Sequence, residues 1–129
     1  MGAFVIHYGW NSTLEAISAG VSMVTWPVFA KQFSNEKLVT QILKTGVLVG
    51  ANKWSITPST EEMVKQEAIQ KALREIMVGK EVEERIARAK KLKEMAQKVV
   101  EDCGSSYSEL TILINELRVY TSNSKISKF

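Results

Sequence analysis

The chain has 129 residues, 45% of them hydrophobic and 24% charged, and a net charge of +3. That length and balance give one modest domain with a buried core, and they exclude a disordered, collagenous or disulfide-stapled chain. The lone Cys103 can form no internal bridge, which fits a reducing compartment, and the small positive charge does not argue for nucleic acid.

Ala3 to His7 reads as a buried strand. Ser12 to Gly20 reads as a short helix closed by its glycine. Ser22 to Trp26 is a second strand, stopped at Pro27. Lys31 and Gln32 start the next helical pattern, whose apolar face (Leu38, Val39, Ile42, Leu43) lies between Asn35 and Leu43; Val47 to Val49 follows as a third strand. Strand, helix, strand, helix, strand is the rhythm of a parallel sheet, so the fold class is α/β. Strands this uniformly apolar are expected to be buried on both faces. Residues 1–50 form this βαβαβ part, and residues 51–121 a helical segment of the same domain.

After a loop over residues 52–59, Ser59 to Glu62 has the form of a capping box. Ile69, Ala72, Leu73 and Ile76 then mark one face of a helix that Gly79 breaks. A long helix is predicted from Glu81 to Cys103, with Glu81/Arg85, Glu84/Arg88 and Glu94/Lys98 paired on a solvated side. Ser106 to Glu109 is a second capping box and opens a last helix, with Leu110, Leu113, Ile114 and Leu117 expected inward. Residues 122–129 read as a flexible polar tail. No apolar run approaches the ~20 residues that cross a bilayer, and Met1 leads straight into a strand pattern, so neither a membrane span nor a secretory leader is expected.

The chemistry concentrates in the first turn, His7-Tyr8-Gly9-Trp10-Asn11-Ser12. It follows a parallel strand and feeds a helix, the edge at which open α/β sheets bind ligands. A helix start offers unpaired N–H groups and partial positive charge, which favour a phosphate. Gly9 lets backbone approach closely, Asn11 and Ser12 add side-chain donors, and His7 can donate whether neutral or charged. Structural roles compete at each position. His7 can end its strand with a local hydrogen bond, and Ser12 with Glu15 can form a capping box. Trp10 can be a core aromatic, while Lys31 and Gln32 can simply be solvated.

The run from Gly2 to Gln32 resembles the signature box of plant UDP-dependent glycosyltransferases. The likeness lies in Gly2-Ala-Phe-Val-Ile-His7, Gly9-Trp-Asn-Ser-Thr-Leu-Glu15, Ser18-Ala-Gly20, Met23-Val-Thr-Trp-Pro27 and Gln32. It extends through Asn35-Glu-Lys-Leu-Val39 to Met77-Val-Gly79 and Gly104-Ser-Ser-Tyr107. The resemblance implies the C-terminal part of a Rossmann-like, donor-binding domain of the GT-B fold. It implies that His7, Gly9, Trp10, Asn11, Ser12, Glu15, Lys31 and Gln32 bind a UDP-sugar. His7, Asn11 and Ser12 would meet the diphosphate, Trp10 the sugar, Glu15 the ribose hydroxyls, and Gln32 the sugar hydroxyls, with glucose the usual companion of that glutamine.

Two departures stand out. Position 31 is normally an acid in such enzymes and accepts hydrogen bonds from the sugar; Lys31 has donors only, which predicts altered sugar recognition. The box's upstream Trp-x-Pro-Gln, the catalytic histidine base and the acceptor pocket are expected in a part of the enzyme preceding this segment. The resemblance therefore places no catalytic residue here and implies an inverting sugar transfer to a small-molecule hydroxyl. It implies no metal, no cofactor beyond the donor, no nucleic-acid partner and a cytoplasmic location. The alternatives are a non-catalytic nucleotide-binding fragment and an interaction module built on the amphipathic helices.

Overall fold

A computed structural model describes residues 2–7, 9–51 and 64–126. Three parallel strands, β1 (Ala3–Ile6), β2 (Ser22–Thr25) and β3 (Gly46–Leu48), lie in the order β1-β2-β3. Helix α1 (Trp10–Ala19) connects the first pair and α2 (Ala30–Lys37) the second. The chain then carries α3 (Gln66–Val78), α4 (Val82–Val100) and α5 (Ser105–Ile126). The α/β class and the parallel order follow the sequence pattern. The capping box at residues 59–62 and the loop over 52–59 lie outside the described residues.

Two compact units divide the chain after Glu94. In the first, successive residues of β2 point to opposite faces of the sheet and meet different helices. Val24 packs with Val47, Val49, Ala72 and Ile76, which brings α3 onto one face. Met23 packs with Ala16 and Val39, which brings α1 and the end of the second connection onto the other. Only β2 is buried along its whole length. The expectation that every strand is buried on both faces is corrected: β1 and β3 are the edges of this sheet, and Phe4, Val5 and Leu48 are exposed.

Several boundaries move for identifiable reasons. Gly20 closes α1 in the left-handed conformation, φ 70°, with its amide bonded to Ile17 O. Helix α2 begins earlier than the Leu38/Val39/Ile42/Leu43 stripe implies and runs on through a π-helical turn over Leu38–Ile42, closed by Leu43 N donating to Leu38 O. Two residues after that turn Lys44 sits at φ 53°, and its carbonyl accepts from Arg88 Nε at 2.9 Å.

The second unit holds the end of α4 and all of α5. Helix α4 stops at Val100, three residues before the predicted end, and Cys103 turns at φ 68° before Gly104. Helix α5 starts at Ser105, so Ser106 is inside it and does not cap it; the helix continues to Ile126, past the point where a polar tail was expected. Leu110, Leu113, Ile114 and Leu117 are exposed, not inward. Their spacing marks an apolar stripe but carries no information about what covers it. No helix among the described residues is long and apolar enough to cross a membrane.

Candidate functional site

The two βα turns open on one edge of the sheet, because β1 and β2 run parallel with Ile6 opposite Thr25. Trp26 N continues the ladder by donating to Ile6 O at 3.0 Å. One residue on, His7 Nδ1 lies 2.8 Å from Trp26 O, with the two rings edge to face at 6.1 Å. A carbonyl oxygen only accepts, so Nδ1 carries the proton. That spends the one N–H of the neutral ring. Nε2 then donates only from the imidazolium, so with this hydrogen bond in place the neutral ring has no second N–H to offer. The strand-end hydrogen bond therefore uses Nδ1 and leaves Nε2 outside it.

Helix α1 begins at Trp10, two residues before the predicted start, with Gly9 as its N-cap. Thr13 closes the turn: its backbone N and its Oγ1 both donate to Gly9 O at 3.1 Å, and Thr13 is fully buried. Thr13 N makes the first helical bond, so the N–H groups of Trp10, Asn11 and Ser12 have no helical partner. No side chain caps this terminus and no acid lies in its first turn. The Ser12–Glu15 capping box is not formed, because Ser12 is the third residue of the helix. Among the described residues neither side chain has a hydrogen-bond partner.

Gly9 sits at φ −58°, ψ 147°, a conformation open to any residue. An added Cβ there would meet no atom within 4 Å. Neither backbone torsion nor a neighbouring described atom requires a glycine there. Trp10 is 55% exposed, which removes its reading as a core aromatic. Tyr8 lies outside the described residues.

At the second turn, Gln32 Oε1 accepts from Val28 N at 2.7 Å and Phe29 N at 3.0 Å. This caps α2 from within and leaves the Gln32 amide N–H₂ as its free end. The sequence shows no signal for this, since the N-cap residue is Phe29 and offers no side-chain acceptor. Lys31 is exposed and joins no salt bridge among the described residues. One turn further on, Thr25 Oγ1 donates to Glu36, fixing α2 to the end of β2. Burial pushes the Glu36 carboxyl above its ordinary value of 4.5, against the opposing, smaller effect of the Thr25 hydroxyl.

One charged residue departs from the solvated-face reading. Arg85 is only 5% exposed; Nη1 reaches Glu75 O at 3.4 Å and Nη2 lies 3.8 Å from both Glu75 and Glu81 carboxylates. It walls a cavity of about 470 Å³ beside β3 and α3, away from the two turns. Arg88 does pair with Glu84, at 3.3 Å. Cys103 is exposed, and the described residues contain no cluster of three or more metal-ligating side chains.

Comparison with known proteins bears on this edge. Residues 1–95 match the family model for UDP-glucoronosyl and UDP-glucosyl transferase. The chain is 62% identical over 117 residues to UDP-glucosyl transferase 73M2 of Saponaria officinalis, covering 91% of this chain and 24% of that protein. Among solved structures it superimposes on Glycyrrhiza uralensis UGT73P12 complexed with glycyrrhetinic acid 3-O-monoglucuronide, with a TM-score of 0.86 and 38% identity. That match covers 99% of this chain and 27% of the other. It also superimposes on Os79 of O. sativa in complex with UDP, with a TM-score of 0.79 and 30% identity over 90% of this chain and 24% of the other. The chain spans about a quarter of the length of these relatives. Its short parallel strands and C-terminal helices match plant glycosyltransferases of the GT-B fold. The chain belongs to the UDP-glucoronosyl and UDP-glucosyl transferase family.

Proposed function

We propose that this chain is the UDP-sugar-binding portion of an inverting glycosyltransferase that moves a hexose from UDP to a hydroxyl of a small-molecule acceptor. The observation that carries the reading is the start of α1: three N–H groups without helical partners, no acid in the first turn, and His7 beside it. The diphosphate would take the N–H groups of Trp10, Asn11 and Ser12, with the Asn11 and Ser12 side chains as further donors. As the bond from the anomeric carbon to the diphosphate breaks, negative charge grows on the leaving group. Fixed donors at a helix start and a charged His7 would stabilise that charge more than they stabilise the bound donor. Glu15, exposed and unengaged, would accept from the ribose hydroxyls, and Trp10 would lie against the sugar.

In this reading the base that deprotonates the acceptor, a contribution of ~10²–10⁴-fold, belongs to an acceptor-binding domain outside these residues. The reading calls for no metal and no cofactor besides the donor, and places the protein in the cytosol. The test is a calorimetric titration with UDP and with uridine. UDP should bind and uridine should not, and His7→Ala and Ser12→Ala should each weaken UDP. Equal binding of uridine and UDP would remove the phosphate site from the account.

A further inference from the structure

We propose that the cavity beside β3 and α3 is a second ligand site, which takes a monocarboxylate with an apolar body and seats its carboxylate on Arg85. The inference stands apart from the reading of the α1 start, because this cavity lies away from the two βα turns.

The chemistry turns on the Arg85 guanidinium. Its residue is only 5% exposed, yet among the described residues it makes one hydrogen bond, a long one of 3.4 Å to Glu75 O. The Glu75 and Glu81 carboxylates lie 3.8 Å from Nη2, close enough to attract and too far to hydrogen-bond. Most of the five N–H donors that a guanidinium carries thus have no acceptor among the described residues. Leaving buried charged donors unmet is costly, and a carboxylate meets two of them at once in fork geometry.

Arg85 and Glu81 wall both the cavity of about 470 Å³ and a neighbouring one of about 440 Å³ that reaches Thr40 and Gln41 of the π-helical turn. Either volume falls in the range that holds a small organic ligand. Val47, Val49 and Ala72 give the larger cavity an apolar wall. Around the pair the described charges are Lys44, Lys71 and Arg85 against Glu75 and Glu81, one positive charge in excess. A single negative charge balances that set. A polyanion would be repelled by the two acids, and a neutral molecule would leave the guanidinium unmet.

The experiment follows backbone amide resonances of the full chain during titration with 4-phenylbutyrate. The controls are 4-phenylbutanol, the same body without the charge, and acetate, the same charge without the body. 4-Phenylbutyrate should saturate, with the largest shifts at Gly46, Leu48 and Ala72. The alcohol should bind at least about tenfold more weakly, and acetate should not saturate. Arg85→Met, which replaces a buried charge with an apolar chain, should weaken 4-phenylbutyrate by at least about tenfold. Glu81→Gln removes a competitor for the guanidinium from an exposed position and should strengthen binding a few-fold. If Arg85→Met does not melt cooperatively, Glu81→Gln and the acid–alcohol pair decide. Equal binding of acid and alcohol, unchanged binding by a folded Arg85→Met, unchanged or weaker binding by Glu81→Gln, or no saturable shift at these amides would each overturn the site.

Discussion

Asn11→Asp separates ligand binding from helix stability, because the two effects have opposite signs. The first turn of α1 contains no acid, although an acid there would favour the helix. A carboxylate at the second helical position should interact with the exposed N–H groups and stabilise the unliganded protein by about 0.3–1 kcal/mol. For a chain of this size that raises Tm by roughly 1–4 °C. The same change replaces an amide donor with a negative charge where the diphosphate is proposed to sit. Losing one hydrogen bond to a charged group costs about 1.5–3 kcal/mol, and repulsion between unit charges about 4 Å apart adds up to ~4 kcal/mol at a surface dielectric. UDP affinity should therefore fall by at least about 10-fold, since each 1.36 kcal/mol is tenfold. The assay is a thermal melt with and without UDP, paired with a titration. A variant that melts higher and still binds UDP normally would refute the placement of the phosphate. One that melts lower would refute the reading of α1 as an uncapped terminus.

The Glu36 carboxyl, raised by burial, gives a pH dependence of fixed sign. Its contribution to stability is full below the ordinary carboxylate value of 4.5 and is lost as pH rises through its own higher value. Glu36→Gln keeps an acceptor for Thr25, so melts between about pH 4 and 8 should show a flatter profile and a more stable protein at neutral pH; a steeper loss would contradict the burial argument. Lys44→Gly relieves a side chain in the left-handed region, about 1–2 kcal/mol, at an entropic cost of about 0.4–1 kcal/mol. The net gain should be roughly 0.5–1 kcal/mol by denaturant unfolding, and a loss would show that the Lys44 side chain contributes more than its torsion costs.

The strand–helix alternation was legible because an apolar run of four or five residues followed by Gly, Pro or Asn has few other readings. The place of the turn proposed to bind phosphate was legible for the same reason, since its position at the end of β1 follows from topology. The start of α1 was not, because Ser12 and Glu15 carry the signature of a capping box while Gly9 caps with no side chain at all. The Gln32 cap was hidden because its partners are backbone N–H groups, which every sequence has. Arg85 was misread because glutamates spaced one turn away look alike whether the arginine is solvated or buried. Burial of Arg85 depends on Glu75 of the preceding helix, a contact that spacing within α4 does not contain. The inward face of α5 failed for the related reason that a stripe implies a partner without locating it.

The central claim is that a diphosphate binds at the start of α1. The most direct measurement follows backbone amide and His7 imidazole resonances during addition of UDP. The account predicts the largest shifts at the amides of Trp10, Asn11 and Ser12, with the His7 Nε2 resonance moving while Nδ1 stays bonded to Trp26. Shifts centred instead on the cavity walled by Arg85, with residues 10–12 unmoved, would contradict it.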